Sequence, residues 1–406
     1  MSSTEASPIR ESTSPATGSA PSASTTVLVD ASPPPPDERQ NGWVRFGLAN
    51  LAVVVILSVA TWFVLADPHL SPWGFYPLPF NAALFWAILF VVFIGFNGEF
   101  AGFDRLRQPW KGLAIMVATA VFAVVITWVL AQGLGHIDPD FAVGRAGGLG
   151  YFTGALFVLF GFGTFVMAVL NWQHWPWPQL GLRQPAVGLA EIAAIAGPTM
   201  ILYFVLGLPS MSTNSHTNAL MSVDTVLGWF YSVIVAVILT GQTWENWPWR
   251  IAGRPSLIAL TSLVGNFVLG TVFYFVALPL VKLLLGSVSV DALGSTVHQY
   301  PAQLGVCWAF WMIFWANAFG NRPTGFGTAA NLVIRTAVTL ALAVLTFTFY
   351  YRFAAEHILH EPAAAPGVYG NALGFIDWLV LWTLLYVVGF ESLGLGKLLT
   401  SKSSSR

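Results

Sequence analysis

The chain has 406 residues, 56% hydrophobic and only 9% charged, with 17 Lys and Arg against 18 Asp and Glu for a formal net charge of −1. Soluble domains carry roughly 25% charged residues, so this composition excludes a water-solvated globule and implies an all-α, polytopic integral membrane protein. The near-neutral balance, without a basic stripe, excludes nucleic acid as a partner, and a single cysteine, Cys307, excludes an intramolecular disulfide framework.

Residues 1–41 are rich in Ser, Thr, Pro and Ala and include the run Pro33 to Pro36. Without apolar periodicity they read as a disordered cytoplasmic tail. They lack the basic start and apolar stretch of a secretory signal, so the first span is expected to be an uncleaved anchor. From Trp43 onward, apolar runs follow one another, and ten spans are expected near 46–66, 80–98, 112–133, 151–171, 186–207, 225–243, 256–285, 301–318, 328–350 and 371–395. They form a transmembrane domain over 42–397, with a short cytoplasmic tail at 398–406.

Four linkers repeat one phrase, an Arg followed by Pro: Arg107-Gln108-Pro109, Arg183-Gln184-Pro185, Arg254-Pro255 and Arg322-Pro323. Their prolines are 76, 70 and 68 residues apart, which points to tandem helical hairpins. With the amino terminus inside, thirteen Lys and Arg fall on the cytoplasmic side and three, Arg145, Lys282 and Arg352, outside. That bias places both termini in the cytoplasm, in a cytoplasmic membrane.

The segments Asn171 to Trp177 and Thr243 to Trp249 match at a constant offset of 72, each carrying Trp-Pro-Trp. They fit an aromatic belt at the headgroup level, or alternatively a cation cage at a pore mouth. Six of seven histidines, His69, His136, His216, His298, His357 and His360, fall in the opposite loops, where they offer a pH response or metal ligands. His357 and His360 share one face if their segment is helical, but the spacing is not that of a zincin.

Charges within spans carry the chemistry, because each is costly in hydrocarbon. Glu191 in the fifth span and Arg335 in the ninth lie at overlapping depths and are expected to pair, as a brace or as a solute site. Asn50, Thr119, Asn266 and Thr339 join them on odd-numbered spans, while Gly197-Pro198 and Pro279 are expected to break spans five and seven. Asp377 reads as a helix-start carboxylate. There is no phosphate loop, nucleophile elbow, haem attachment site or di-metal carboxylate pair, so no enzyme, cofactor or resident metal is expected.

The ten-span hairpin organisation resembles the tellurite-resistance and plant slow-anion channels in architecture, without a shared motif. That resemblance implies odd-numbered helices around a central pore and even-numbered helices outside. The charges and polar residues within the spans, rather than this resemblance, lead to the expected function, a permease or channel for a small solute or ion. Glu191, Arg335 and Asn266 are the candidate substrate-binding residues, and the Arg335 fork slightly favours an anion or weak acid. The alternatives are a membrane metal-binding enzyme or sensor using the loop histidines, and a scaffold. The partners expected are the bilayer, the solute, and a second copy or a membrane partner.

Overall fold

A computed structural model describes residues 42–137, 142, 149–211 and 219–396. The expected tails, the loop residues Asp138, Asp140 and Arg145, and His216 lie outside the described residues. Ten long helices follow in order: α1 (Gly42–Leu65), α2 (Phe80–Asn97), α3 (Trp110–Ile137), α4 (Leu149–Leu170), α5 (Ala186–Met211), α6 (Val223–Thr243), α7 (Pro255–Leu285), α8 (Tyr300–Ala318), α9 (Thr328–His357) and α10 (Ala372–Gly389). Strand is confined, among the described residues, to an antiparallel hairpin of Ala363–Ala365 with Val368–Tyr369.

Nine of these helices are long and apolar enough to cross a membrane. The exception is α8, whose sequence holds Gln303, three Trp and Asn317. It occupies the position of the eighth expected span, and most of its residues are buried against its neighbours.

The even-numbered helices form the core. α2 packs on α4, α4 on α6, α6 on α8, α8 on α10, and α10 returns to α2, closing a five-helix ring. Of the most apolar 18-residue window of each, 72 to 89% is buried in α2, α4, α6 and α10, against 22 to 28% in the odd-numbered helices. The odd helices therefore lie outside, which reverses the expected arrangement. Their outer faces expose large apolar side chains, such as Val124 and Trp128 on α3, Val268 and Phe275 on α7, and Val333 and Leu345 on α9. Their polar residues form the inward stripe of each odd helix instead: Asn50, Thr119, Glu191, Asn266, Arg335 and Thr339 are all buried. A single polar stripe on an otherwise apolar helix needs hydrogen-bond partners, and the ring supplies them.

The docking follows one rule. α3, α5 and α9 each pack on the even helix before it and touch the end of the even helix before that, counting round the ring, while α7 packs on α6 and reaches Asn171 at the end of α4 through Asn266. Thus Gln184, just ahead of α5, donates through Nε2 to the Asn97 carbonyl at the end of α2, at 2.8 Å. Gln108, ahead of α3, donates in the same way to the Gly389 carbonyl at the end of α10, at 2.9 Å. Glycine makes the approach possible: a Cβ on Gly188 would lie 2.7 Å from the Asn97 carbonyl oxygen. α1 closes the outer layer by packing on α10, with Gly47 under the Phe319 ring at the end of α8.

The five even helices also end alike. After the last turn come two residues of positive φ: Glu99 and Phe100, Gln173 and His174, Glu245 and Asn246, Gly320 and Asn321, Glu391 and Ser392. The second residue of each pair donates its backbone N–H to the carbonyl six residues earlier, from Phe100 to Ile94, His174 to Ala168, Asn246 to Thr240, Asn321 to Trp315 and Ser392 to Tyr386. Those bonds hold non-glycine residues in a conformation that is otherwise uncommon. Neither Pro198 nor Pro279 breaks its helix. α5 runs through Pro198 to a π-helical turn at Tyr203–Gly207, and α7 runs through Pro279.

Candidate functional site

The ring encloses a cavity of about 240 Å³ on its axis. All five even helices line it, mostly with residues of the half remote from the Arg-Pro linkers and reaching just past the middle, among them Phe85, Leu159, Ile234, Ile313 and Val380. Nearer the linkers, the ring residues Val92, Met167, Ile238, Phe314 and Leu384 are all buried. The wall is predominantly apolar, with a few polar groups at its remote end: Asn81, Tyr231, Gln299, Asn371 and Asp377. A concave, mostly apolar space with few convergent polar groups is the usual form of a small-molecule site.

Asp377 is the one charged side chain in that wall, and it is 5% exposed. Among the described residues its hydrogen-bond partner is the Tyr231 hydroxyl, donating to Oδ1 at 3.4 Å, and no cation lies in contact with it. Asn81 is also buried, and its Oδ1 has no partner. That oxygen faces Gly374, one turn before Asp377, where an added Cβ would lie 3.2 Å away.

The sequence-predicted residues sit elsewhere. Glu191 and Arg335 do not pair. Glu191, with no solvent exposure, meets His174 Nδ1 at 3.1 Å and accepts from Asn97 Nδ2 at 2.9 Å. Arg335 meets Glu245 at 2.6 Å and also donates to the Pro323 carbonyl at 2.9 Å and the Thr243 carbonyl at 3.3 Å. Asn266 accepts from Thr240 at 2.9 Å and donates to Asn171 Oδ1 at 3.0 Å. All three lie at the linker end and fasten odd helices to the ends of even ones, and none lines the cavity. A fourth such contact joins Lys111 on α3 to Glu391 beyond α10, at 2.9 Å. The anion preference drawn from Arg335 loses its basis, because its donors are engaged.

The Trp-Pro-Trp segments serve the same fastening. Trp244 donates to Thr336 on α9 at 2.8 Å, and the Trp249 ring covers Gly265 on α7.

At the remote end the loops cross over the ring. His360 has positive φ and does not share a helical face with His357; its Nδ1 meets Asp67 at 2.8 Å, and its ring stacks on His69 at 4.7 Å. Beside it, buried Glu361 accepts from the Tyr350 hydroxyl at 2.5 Å, from the Tyr76 hydroxyl, and from the Asn371 backbone at 3.1 Å. Burial raises the Glu361 carboxyl to about 7, while its hydrogen bonds pull the other way. Burial, together with Glu361, pushes the Tyr76 hydroxyl well above its usual value. Among the described residues, no group of three or more His, Cys, Asp or Glu is arranged to hold a metal ion.

Sequence reasoning missed the cavity residues. Asp377 was visible as a charge within a span, but its short distance from the helix start suggested an interfacial cap. Tyr231 and Asn81 gave no signal, since only the closure of α10 on α2 brings them to one space with Asp377. No family model, curated protein or solved structure matches the chain.

Proposed function

We propose that the protein is a multi-pass transporter or channel of the cytoplasmic membrane, in which a small solute or ion moves along the axis of the five-helix ring. In this reading five tandem hairpins give ten spans, with the Arg-Pro linkers and both termini cytoplasmic, as the Lys and Arg distribution favours. α8 counts as a span despite its polar content because ring neighbours, rather than lipid, cover it. Lipid covers the apolar outer faces of the odd helices.

One observation carries the reading: a cavity on the ring axis whose wall holds a buried carboxylate without a cation partner. A charge costs several kcal/mol in such surroundings, so a group kept there without a structural partner suits a solute path. Glu191, Arg335 and Asn266 hold the linker end together, so that solute passes inside the ring rather than between odd helices. The remote cavity with buried apolar residues toward the linkers suits a state open to the outer side and closed to the cytoplasm.

The test is flux. Purified protein in proteoliposomes is expected to pass at least one solute from a panel of inorganic cations, organic cations, anions and weak acids, assayed at two external pH values. Monodisperse, correctly reconstituted protein that passes none of them contradicts the proposal.

A further inference from the structure

The cavity has a chemistry of its own that narrows the solute class. The inference rests on the axial path proposed above and names what the path accepts. Three features converge. A carboxylate, Asp377, is 5% exposed and has one long hydrogen bond from Tyr231. A buried amide oxygen, Asn81 Oδ1, has no partner and lies by the same helix, against Gly374, while Asn81 itself lines the cavity. Apart from Tyr231, Gln299 and Asn371 the rest of the wall is apolar, and it includes the aromatic rings of Phe85, Phe152 and Phe162.

Both uncommitted groups are acceptors. A buried carboxylate without a cation partner is ionised only at high cost, which a bound cation offsets, and an amide oxygen without a partner takes a donor. An anion would meet Asp377 as a like charge and find no free cation in the wall. A metal ion stripped of its waters would find too few side-chain oxygens in the wall, since hard cations take six or more. The volume, about 240 Å³, has room for a small organic molecule.

We infer that the axial cavity is a binding site for a small alkylammonium cation, its N–H groups on Asp377 and Asn81 Oδ1 and its apolar body against the aromatic and aliphatic wall. The ring faces add cation–π attraction.

The test is calorimetric titration of purified protein with three solutes of similar size: butylammonium, 1-butanol and butyrate. Butylammonium is expected to bind at least about ten-fold tighter than the other two. Asp377→Asn is expected to bring butylammonium down to the level of 1-butanol, and Asp377→Glu to restore part of the preference. Equal binding of all three, binding of none, or unchanged butylammonium affinity in Asp377→Asn would overturn the inference. If Asp377→Asn does not fold, the wild-type ranking of the three solutes decides the matter, together with loss of butylammonium binding in the cavity-filling variant Ala155→Phe. The two readings fail differently: butylammonium bound without flux of any solute removes the transport proposal alone, whereas flux that ignores solute charge removes the cation class alone.

Discussion

The linker end of the ring and the wall of its cavity handle buried charge in opposite ways. At the linker end, Glu191 has His174, Arg335 has Glu245, and Lys111 has Glu391 and Asp104. In the remote half, Asp377 has a single weak bond from a tyrosine. Paired charges at helix junctions fasten neighbours in register, and their removal strands a buried partner. An unpartnered carboxylate facing a cavity fastens nothing. The difference separates residues that hold the architecture from residues that are free for a ligand.

Four predictions would break or sharpen that contrast, in order of expected effect on stability. Glu191→Ala strands His174 and Asn97 inside the junction and is expected to lower stability by about 4 kcal/mol, read as a fall in the melting temperature of purified protein. A neutral outcome would remove the linker end from its fastening role.

The second concerns pH at the remote loops. Glu361 is raised in the folded protein to about 7 from an ordinary 4.5. Its contribution is therefore fully present below pH ~4.5 and is lost as the pH rises through ~7, an effect of about 3 kcal/mol. Melting temperature should fall between pH 5 and pH 8, and Glu361→Gln should flatten that dependence; an equal slope in both proteins contradicts the assignment.

Gly188→Val forces a side chain against the Asn97 carbonyl, and about 2 kcal/mol of destabilisation is expected. A melting temperature equal to wild type would mean that α5 need not sit so close to α2. The smallest change is expected from Asp377→Asn, within about 0.5 kcal/mol of wild type or more stable, because it removes a buried charge that has no ionic partner to strand. A loss comparable to that of Glu191→Ala would make Asp377 a fastening residue after all.

Much of the helical layout was legible in the sequence because its signals are local. Apolar runs of span length, Pro at the starts of odd helices and Arg beside them depend only on near neighbours along the chain, and they locate the ten helices, although α9 runs on to His357, past the expected 350, and α10 stops at Gly389, short of the expected 395. The fifth helix ending was hidden, since Glu391 and Ser392 carry no Arg-Pro linker, yet their backbone closes as at Glu245 and Asn246. Which ring lies inside was not legible. Polar residues on the odd spans looked like the lining of a path, but the same stripe serves as well to dock an outer helix on an inner one. Hydropathy alone does not distinguish those uses. The Glu191 and Arg335 pairing failed for a related reason: depth along a span is local, whereas the angular position of each helix is set by the closure of α10 on α2, which no spacing encodes.

The central claim is that solute moves inside the even ring, and a paired obstruction tests it most directly. Ala155 lines the axial cavity, whereas Leu260 lies on the exposed outer face of α7. Butylammonium flux into proteoliposomes is to be measured for Ala155→Trp and Leu260→Trp, each confirmed monodisperse by size exclusion. The account predicts loss of flux in Ala155→Trp and wild-type flux in Leu260→Trp; undiminished flux through Ala155→Trp would contradict it.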